Sequence, residues 1–176
     1  MFFRPFESFL ERIKAAKQDG FDGIECHWPY NTPSEKVHNV LKETGLPIIG
    51  INTNPGNLEK GFFGFSALPQ YAKKAKNEIN MSIKYGINIG IKNLHVMAGN
   101  IPKTKYAQIT FCDNLSYACN LANKHKLNIL IEPLLFNFKL VNPINSLKGL
   151  FRAVFTKIDR FITYPVAIRR NFFFNI

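Results

Sequence analysis

Residues 113–134 read DNLSYACNLANKHKLNILIEPL, a helix-spaced run that passes through a basic turn into an apolar strand and stops at Glu132-Pro133. In the first part Leu115, Ala118 and Leu121 share one helical face, in a pattern that starts near residue 105 and includes Phe111. In the second part LNILI is short and apolar without alternation, as a strand covered on both faces of a parallel sheet would be. The same helix-then-strand order recurs toward the N-terminus. Residues 93–97, NLHVM, form a strand signal closed by AGN, and they follow a helix over residues 69–85 that carries Tyr71, Ala72, Ala75, Ile79 and Ile83 and stops at Gly86. Before that come the strand LPIIGI (46–51) with its turn NTNPGN, a helix from Pro33-Ser34 to Gly45, the strand FDGIEC (21–26), and a helix over residues 6–18 ended by Gly20.

Four helix–strand units with short connections predict a parallel sheet joined by right-handed crossovers. A barrel and an open doubly wound sheet both satisfy that order. No GxGxxG or GxxxxGK[ST] follows any strand, so the signature of a nucleotide-binding open sheet is missing. A complete (β/α)8 barrel needs about 250 residues, and this chain has 176. The expected fold is therefore α/β: a partial (β/α)8 TIM barrel of about four parallel strands with helices outside, over residues 1–134. A divergent, irregular or helical tail over residues 135–176 completes the chain.

The tail differs in composition. It holds 8 of the 17 Phe, and from Pro133 onward there are 7 basic residues against the single acid Asp159. More than half of the net charge of +11 thus lies in the last quarter of the chain. The body is only mildly basic, which argues against specific nucleic-acid binding. Residues 146–162 read as a basic amphipathic helix, either packed or lying on a membrane surface; a frameshifted end is the third reading and the one favoured. No run reaches the roughly 18 apolar residues of a spanning helix, and the aromatic N-terminus lacks a signal-peptide core. Cys26, Cys112 and Cys119 form no CxxC pair and read as buried thiols of a reduced, cytoplasmic protein.

Four segments in order resemble the hydroxypyruvate isomerase family of xylose isomerase-like barrels. FLERIKAAKQDGFDGIECHWPY (9–30) looks like the family's second strand with the helix before it. EKGFFGFSALP (59–69) looks like its EKG-x-x-G-x-x-A-x-P loop. NLHVMAGN (93–100) is similar to the fourth strand, and residues 113–134 to the helix and LIEP end of the fifth. The resemblance covers residues 9–133. The family's first strand has no convincing counterpart in MFFRPFES, and its three later strand–helix units have none after Pro133. The chain is thus expected to be truncated and, alone, weak or inactive.

The resemblance implies interconversion of hydroxypyruvate and tartronate semialdehyde, a step of glyoxylate metabolism, by proton transfer through an enediol between glutamates. It implies a divalent ion, Mg2+ or Mn2+, on the substrate oxygens, and makes Glu132 both a metal ligand and an acid/base. From the residues alone, Glu132 either faces the barrel mouth, as polar strand-end residues do, or caps the next loop. Substrate contacts are weaker assignments: Glu25 on the second strand, His27 and His95 near strand ends, Asn54 in NTNPGN, which either lines the mouth or makes the turn, and Lys60 in the EKG loop, suited to a substrate carboxylate. A three-zinc endonuclease of the same fold would need histidines ending the third and fourth strands, where INTN and MAGN stand. The alternatives are a non-catalytic interaction protein using an exposed half-barrel, including a homo-oligomer, and another xylose isomerase-like sugar epimerase or isomerase.

Overall fold

The computed structural model describes residues 8–100 and 104–131 and the backbone of two short strands at 166–169 and 172–175. Helix α1 spans Phe9–Gln18, starting later than its apolar pattern because Ser8 is extended and its hydroxyl accepts the Glu11 N–H. Strand β1, Ile24–Cys26, leads through a 3-10 turn at Pro29–Asn31 into α2, Ser34–Thr44. Gly45 closes α2 in the left-handed conformation, with its N–H on the Leu41 carbonyl at 2.9 Å. Then follow β2, Ile48–Asn52, a second 3-10 turn at Pro69–Tyr71, and α3, Ala72–Ile89. Strand β3 is Asn93–His95, α4 is Lys105–Asn123, and β4 is Asn128–Leu130.

Helix α3 corrects one expectation. It does not end at Gly86 but runs a further turn to Gly90, whose φ of 75° makes the left-handed cap. Gly86 stays helical because the space of its missing side chain is taken by Ile91, whose Cδ1 a Cβ there would overlap. The strands are also shorter than their apolar runs, and β3 ends on His95 rather than on Met97.

Strands β1 to β4 are parallel, in the order β1-β2-β3-β4. Helices α1 to α4 pack in the same sequence, each against the next. An open doubly wound sheet reverses its strand order at a switch point; an unreversed order of strands and helices is that of a barrel wall. The expected partial barrel is the observed fold.

The core lies between this wall and the helices, built on Ile13, Val37, Ile51, Ile79, Leu94 and Ile129. Each such side chain contributes roughly 1.5–3 kcal/mol by leaving water. Because Ile51, Leu94 and Ile129 face the helices, strand alternation turns their neighbours to the barrel interior. Two interior rows follow from the register. The deeper row is Glu25, Gly50, Asn93 and Asn128, and the upper row, at the carboxyl ends, carries Asn52, His95 and Leu130.

In the tail, β5 (Val166–Arg169) and β6 (Phe172–Asn175) pair antiparallel. Both segments, VAIR and FFFN, are rich in strand-favouring residues. Glu132, the helix read over 146–162 and residues 1–7 lie outside the described residues. Among the described residues no helix is long and apolar enough to cross a membrane.

Candidate active-site rim

The carboxyl ends of β1, β2 and β3 bring His27, Asn52 and His95 together. The Asn52 N–H donates to the His27 carbonyl at 2.9 Å, and the Thr53 N–H to the His95 carbonyl at 2.9 Å. These bonds extend the ladders past the strand ends and fix the three backbones in one arc. The Asn52 side-chain amide donates to Nδ1 of His27 at 3.1 Å. The Tyr30 hydroxyl donates to the Asn52 carbonyl and is hydrogen-bonded to the Ser82 hydroxyl at 2.8 Å, tying the arc to α3. Burial pushes the Tyr30 phenol well above its usual range, so it stays protonated.

His27 is exposed at the rim, and its ring lies 5.1 Å from that of Trp28. Trp28 donates its indole N–H to the Met97 sulfur at 3.4 Å. His95 is set deeper. Burial, helped by the charge of nearby His27, lowers its pKa to about 4, so at neutral pH it is an uncharged imidazole.

Below the rim, the Glu25 carboxylate lies over Gly50, where a Cβ would meet Oε1 at 3.0 Å. Glu25 therefore points into the barrel. Asn93 donates to the Ile49 carbonyl at 3.1 Å, and Asn128 to the Asn93 amide oxygen at 3.0 Å. The interior floor thus carries polar side chains from β1, β3 and β4, with Gly50 of β2 between them. Sequence reasoning missed Asn52, Asn93 and Asn128; the signal was an Asn at one end of each of β2, β3 and β4, where Asn is otherwise disfavoured.

The loop over residues 53–68 forms one side of the mouth. Asn54 makes its turn: its side-chain oxygen accepts the Gly56 N–H at 2.9 Å, and its amide meets the Glu78 carboxylate on α3, which burial raises above the usual carboxylate range. Gly64 bridges Ala98, and the Ala67 N–H donates to the Ala98 carbonyl at 2.8 Å. Asn114 on α4, fully buried, donates to the Ser66 carbonyl at 2.9 Å. Lys60 is exposed on this loop, with its N–H on the Asn57 side-chain oxygen at 3.0 Å. Among the described residues no three His, Cys, Asp or Glu side chains form a metal cluster.

A wall of four parallel staves, with polar side chains converging at its carboxyl end, is the half-barrel geometry of a TIM-barrel active site. The chain belongs to the xylose isomerase-like TIM barrel family, whose model matches residues 13–161. It is similar to the 2-oxo-tetronate isomerase of Pectobacterium atrosepticum, 38% identical over 130 residues covering 72% of this chain and 49% of that protein. A Xenopus laevis protein provisionally named a hydroxypyruvate isomerase is 32% identical over 133 residues, covering 72% of this chain and 48% of that one. A solved structure titled AP endonuclease, family 2, from Brucella melitensis superposes with a TM-score of 0.71 at 25% identity, over 85% of this chain and 60% of that one. The chain spans about half the length of the curated relatives it matches.

Proposed function

We propose that this chain carries the first half of an active site that isomerises a small hydroxy-oxo acid, hydroxypyruvate or a 2-oxo-tetronate-like homologue, by proton transfer between adjacent carbons. The observation that carries the reading is the arc of His27, Asn52 and His95 at the carboxyl ends of three parallel staves, in a chain whose relatives are named as isomerases of such acids.

In this reading Glu132, two residues after the strand residue Leu130, removes the proton from the carbon beside the carbonyl. The neutral His95 imidazole supports an enediol oxygen as a hydrogen-bond donor without giving up its own proton. Glu25 holds the polar floor below, and Lys60 on the loop meets the substrate from the side. A Mg2+ or Mn2+ ion held by Glu132 would supply Lewis-acid polarisation of the substrate oxygens. Returning the proton to the neighbouring carbon calls for a second carboxylate, and after Glu132 the sequence offers Asp159 alone. Net isomerisation by this chain is therefore slow, while proton removal and return at one carbon remain available. The free thiols at Cys26, Cys112 and Cys119 suit a reducing cytoplasm.

Incubating the complete chain with hydroxypyruvate in D2O, with Mg2+ or Mn2+, tests this reading. Loss of the C3–H signal faster than in protein-free buffer, with little tartronate semialdehyde formed, is the expected result. Exchange no faster than in buffer would sink it.

A further inference from the structure

Resting on the isomerase reading, we infer that Trp28 is a specificity-determining residue, a crossbar over the mouth that selects short hydroxy-oxo acids against longer polyhydroxy acids. Trp28 is the only tryptophan of the chain. It stands half-buried just past β1, and its indole N–H donates to the Met97 sulfur at 3.4 Å. Strand β2 lies between β1 and β3, so this contact spans two strand spacings, about 10 Å. The outer side of the β2 exit is already occupied. Tyr30 is hydrogen-bonded there to Ser82 of α3 and packs edge-on against Tyr85. The indole therefore crosses the exit of β2 on the mouth side. Both ends of the bar are fixed. Met97 is buried, its N–H donates to the Thr53 hydroxyl at 3.0 Å, and its carbonyl accepts the Ser66 N–H at 3.3 Å. At the other end the carbonyl of Pro29, the next residue, accepts the Tyr85 hydroxyl at 2.9 Å. A side chain tethered at both ends is preorganised and keeps its place when a ligand arrives.

The chemistry of the bar points to the ligand class. An indole has one polar atom, a donor, and here it is committed to Met97. What the bar offers a ligand is an apolar ring. The interior rows beside it are polar, with Asn52 in the upper row and Asn93 in the deeper one. An acid of three or four carbons can keep its hydroxyls on those polar rows. A longer chain brings further hydroxyls against the indole, where they lose water and gain no hydrogen bond. Such a mismatch is expected to weaken the longer acid by about tenfold or more.

The test uses the complete chain and two acyclic acids that share a carboxylate and differ in length, glycerate and gluconate. As the only tryptophan, Trp28 reports on its own contact: glycerate should shield its fluorescence from acrylamide quenching. Calorimetric titration should find glycerate bound by the native chain at least about tenfold more tightly than gluconate, and by Trp28→Leu within about threefold of it. Trp28→Phe, whose ring stays at the rim without reaching Met97, should give an intermediate ratio, and it decides the matter if the leucine variant does not fold. The native ratio retained in Trp28→Phe, or glycerate and gluconate bound equally by the native chain, overturns the inference and leaves the isomerase reading to stand on C–H exchange. Length selection that depends on Trp28, without any exchange of hydroxypyruvate in D2O, supports the inference and removes the isomerase reading. Neither acid bound by the native chain overturns the inference whatever the exchange shows.

Discussion

Gly64 and Met97 approach so closely that a Cβ on Gly64 would overlap the Met97 carbonyl oxygen, and Gly64 has a φ of 109°, which side chains rarely adopt. This contact is the seam between the loop over 53–68 and the exit of β3. Gly99 closes the other side of it, with a φ of 92° and room for a Cβ only 2.5 Å from the Gly64 carbonyl oxygen. Gly64→Ala is expected to lower stability by about 2–4 kcal/mol, from backbone strain together with the overlap. Urea denaturation of the variant measures it; a loss under about 0.5 kcal/mol would mean that the seam is not formed.

Asn114 clamps the same loop from behind. Its amide satisfies the Ser66 carbonyl, while its own side-chain oxygen has no partner among the described residues. Asn114→Ala leaves the Ser66 carbonyl unpaired at a cost of about 1–3 kcal/mol. Asn114→Asp has a distinct signature. A carboxyl buried there has a folded-state pKa raised above its unfolded value, so the variant keeps its stability only while the group is protonated and loses it as pH rises through the folded pKa. The deficit of Asn114→Asp relative to the native chain should therefore grow between acidic and neutral pH. A deficit independent of pH would place the side chain in water.

His95 gives a pH dependence of the opposite direction. Its folded pKa, about 4, lies below the unfolded value near 6.5. Between these values the unfolded chain binds the extra proton, so stability falls as pH drops from about 6.5 toward 4 and levels off below. The contribution is of order 1–3 kcal/mol. Thermal unfolding of the native chain and of His95→Gln, compared across that window, should converge as pH falls; parallel curves would contradict the burial of His95.

Cys26 lies against the helix layer beside Tyr85, and burial raises its thiol to about 12. Burial also raises Cys112 and Cys119 on α4, and all three thiols are partly exposed. Alkylation at pH 8 should therefore modify Cys26 last, in a step that accelerates with denaturant. Modification of Cys26 first, read by mass spectrometry of the peptides, would contradict the placement of β1.

The sequence made the architecture legible because each helix–strand unit announces itself twice, by a helical stripe and by an apolar run with a turn behind it. LPIIGI and LNILI could only be covered strands, and with no phosphate-binding glycine pattern the barrel remained. What periodicity could not give was the exact end of an element. Gly86 reads as a stop, yet it is a contact point for Ile91, because a glycine needed for close packing and a glycine needed for a left-handed cap look alike in sequence. At the rim, His27, His95 and Glu25 were legible as polar residues on strands, but which face they occupied depended on register. Asn52 stayed hidden because its role is a side-chain contact to another stave, 25 positions away.

The central claim is that Glu132 removes a proton from a hydroxy-oxo acid bound at this rim. Its most direct test is the rate of deuterium incorporation at C3 of hydroxypyruvate by the complete chain and by Glu132→Gln, measured side by side with Mn2+ present. The account predicts incorporation above the buffer rate that falls to that rate in Glu132→Gln; equal incorporation by the two proteins would contradict it.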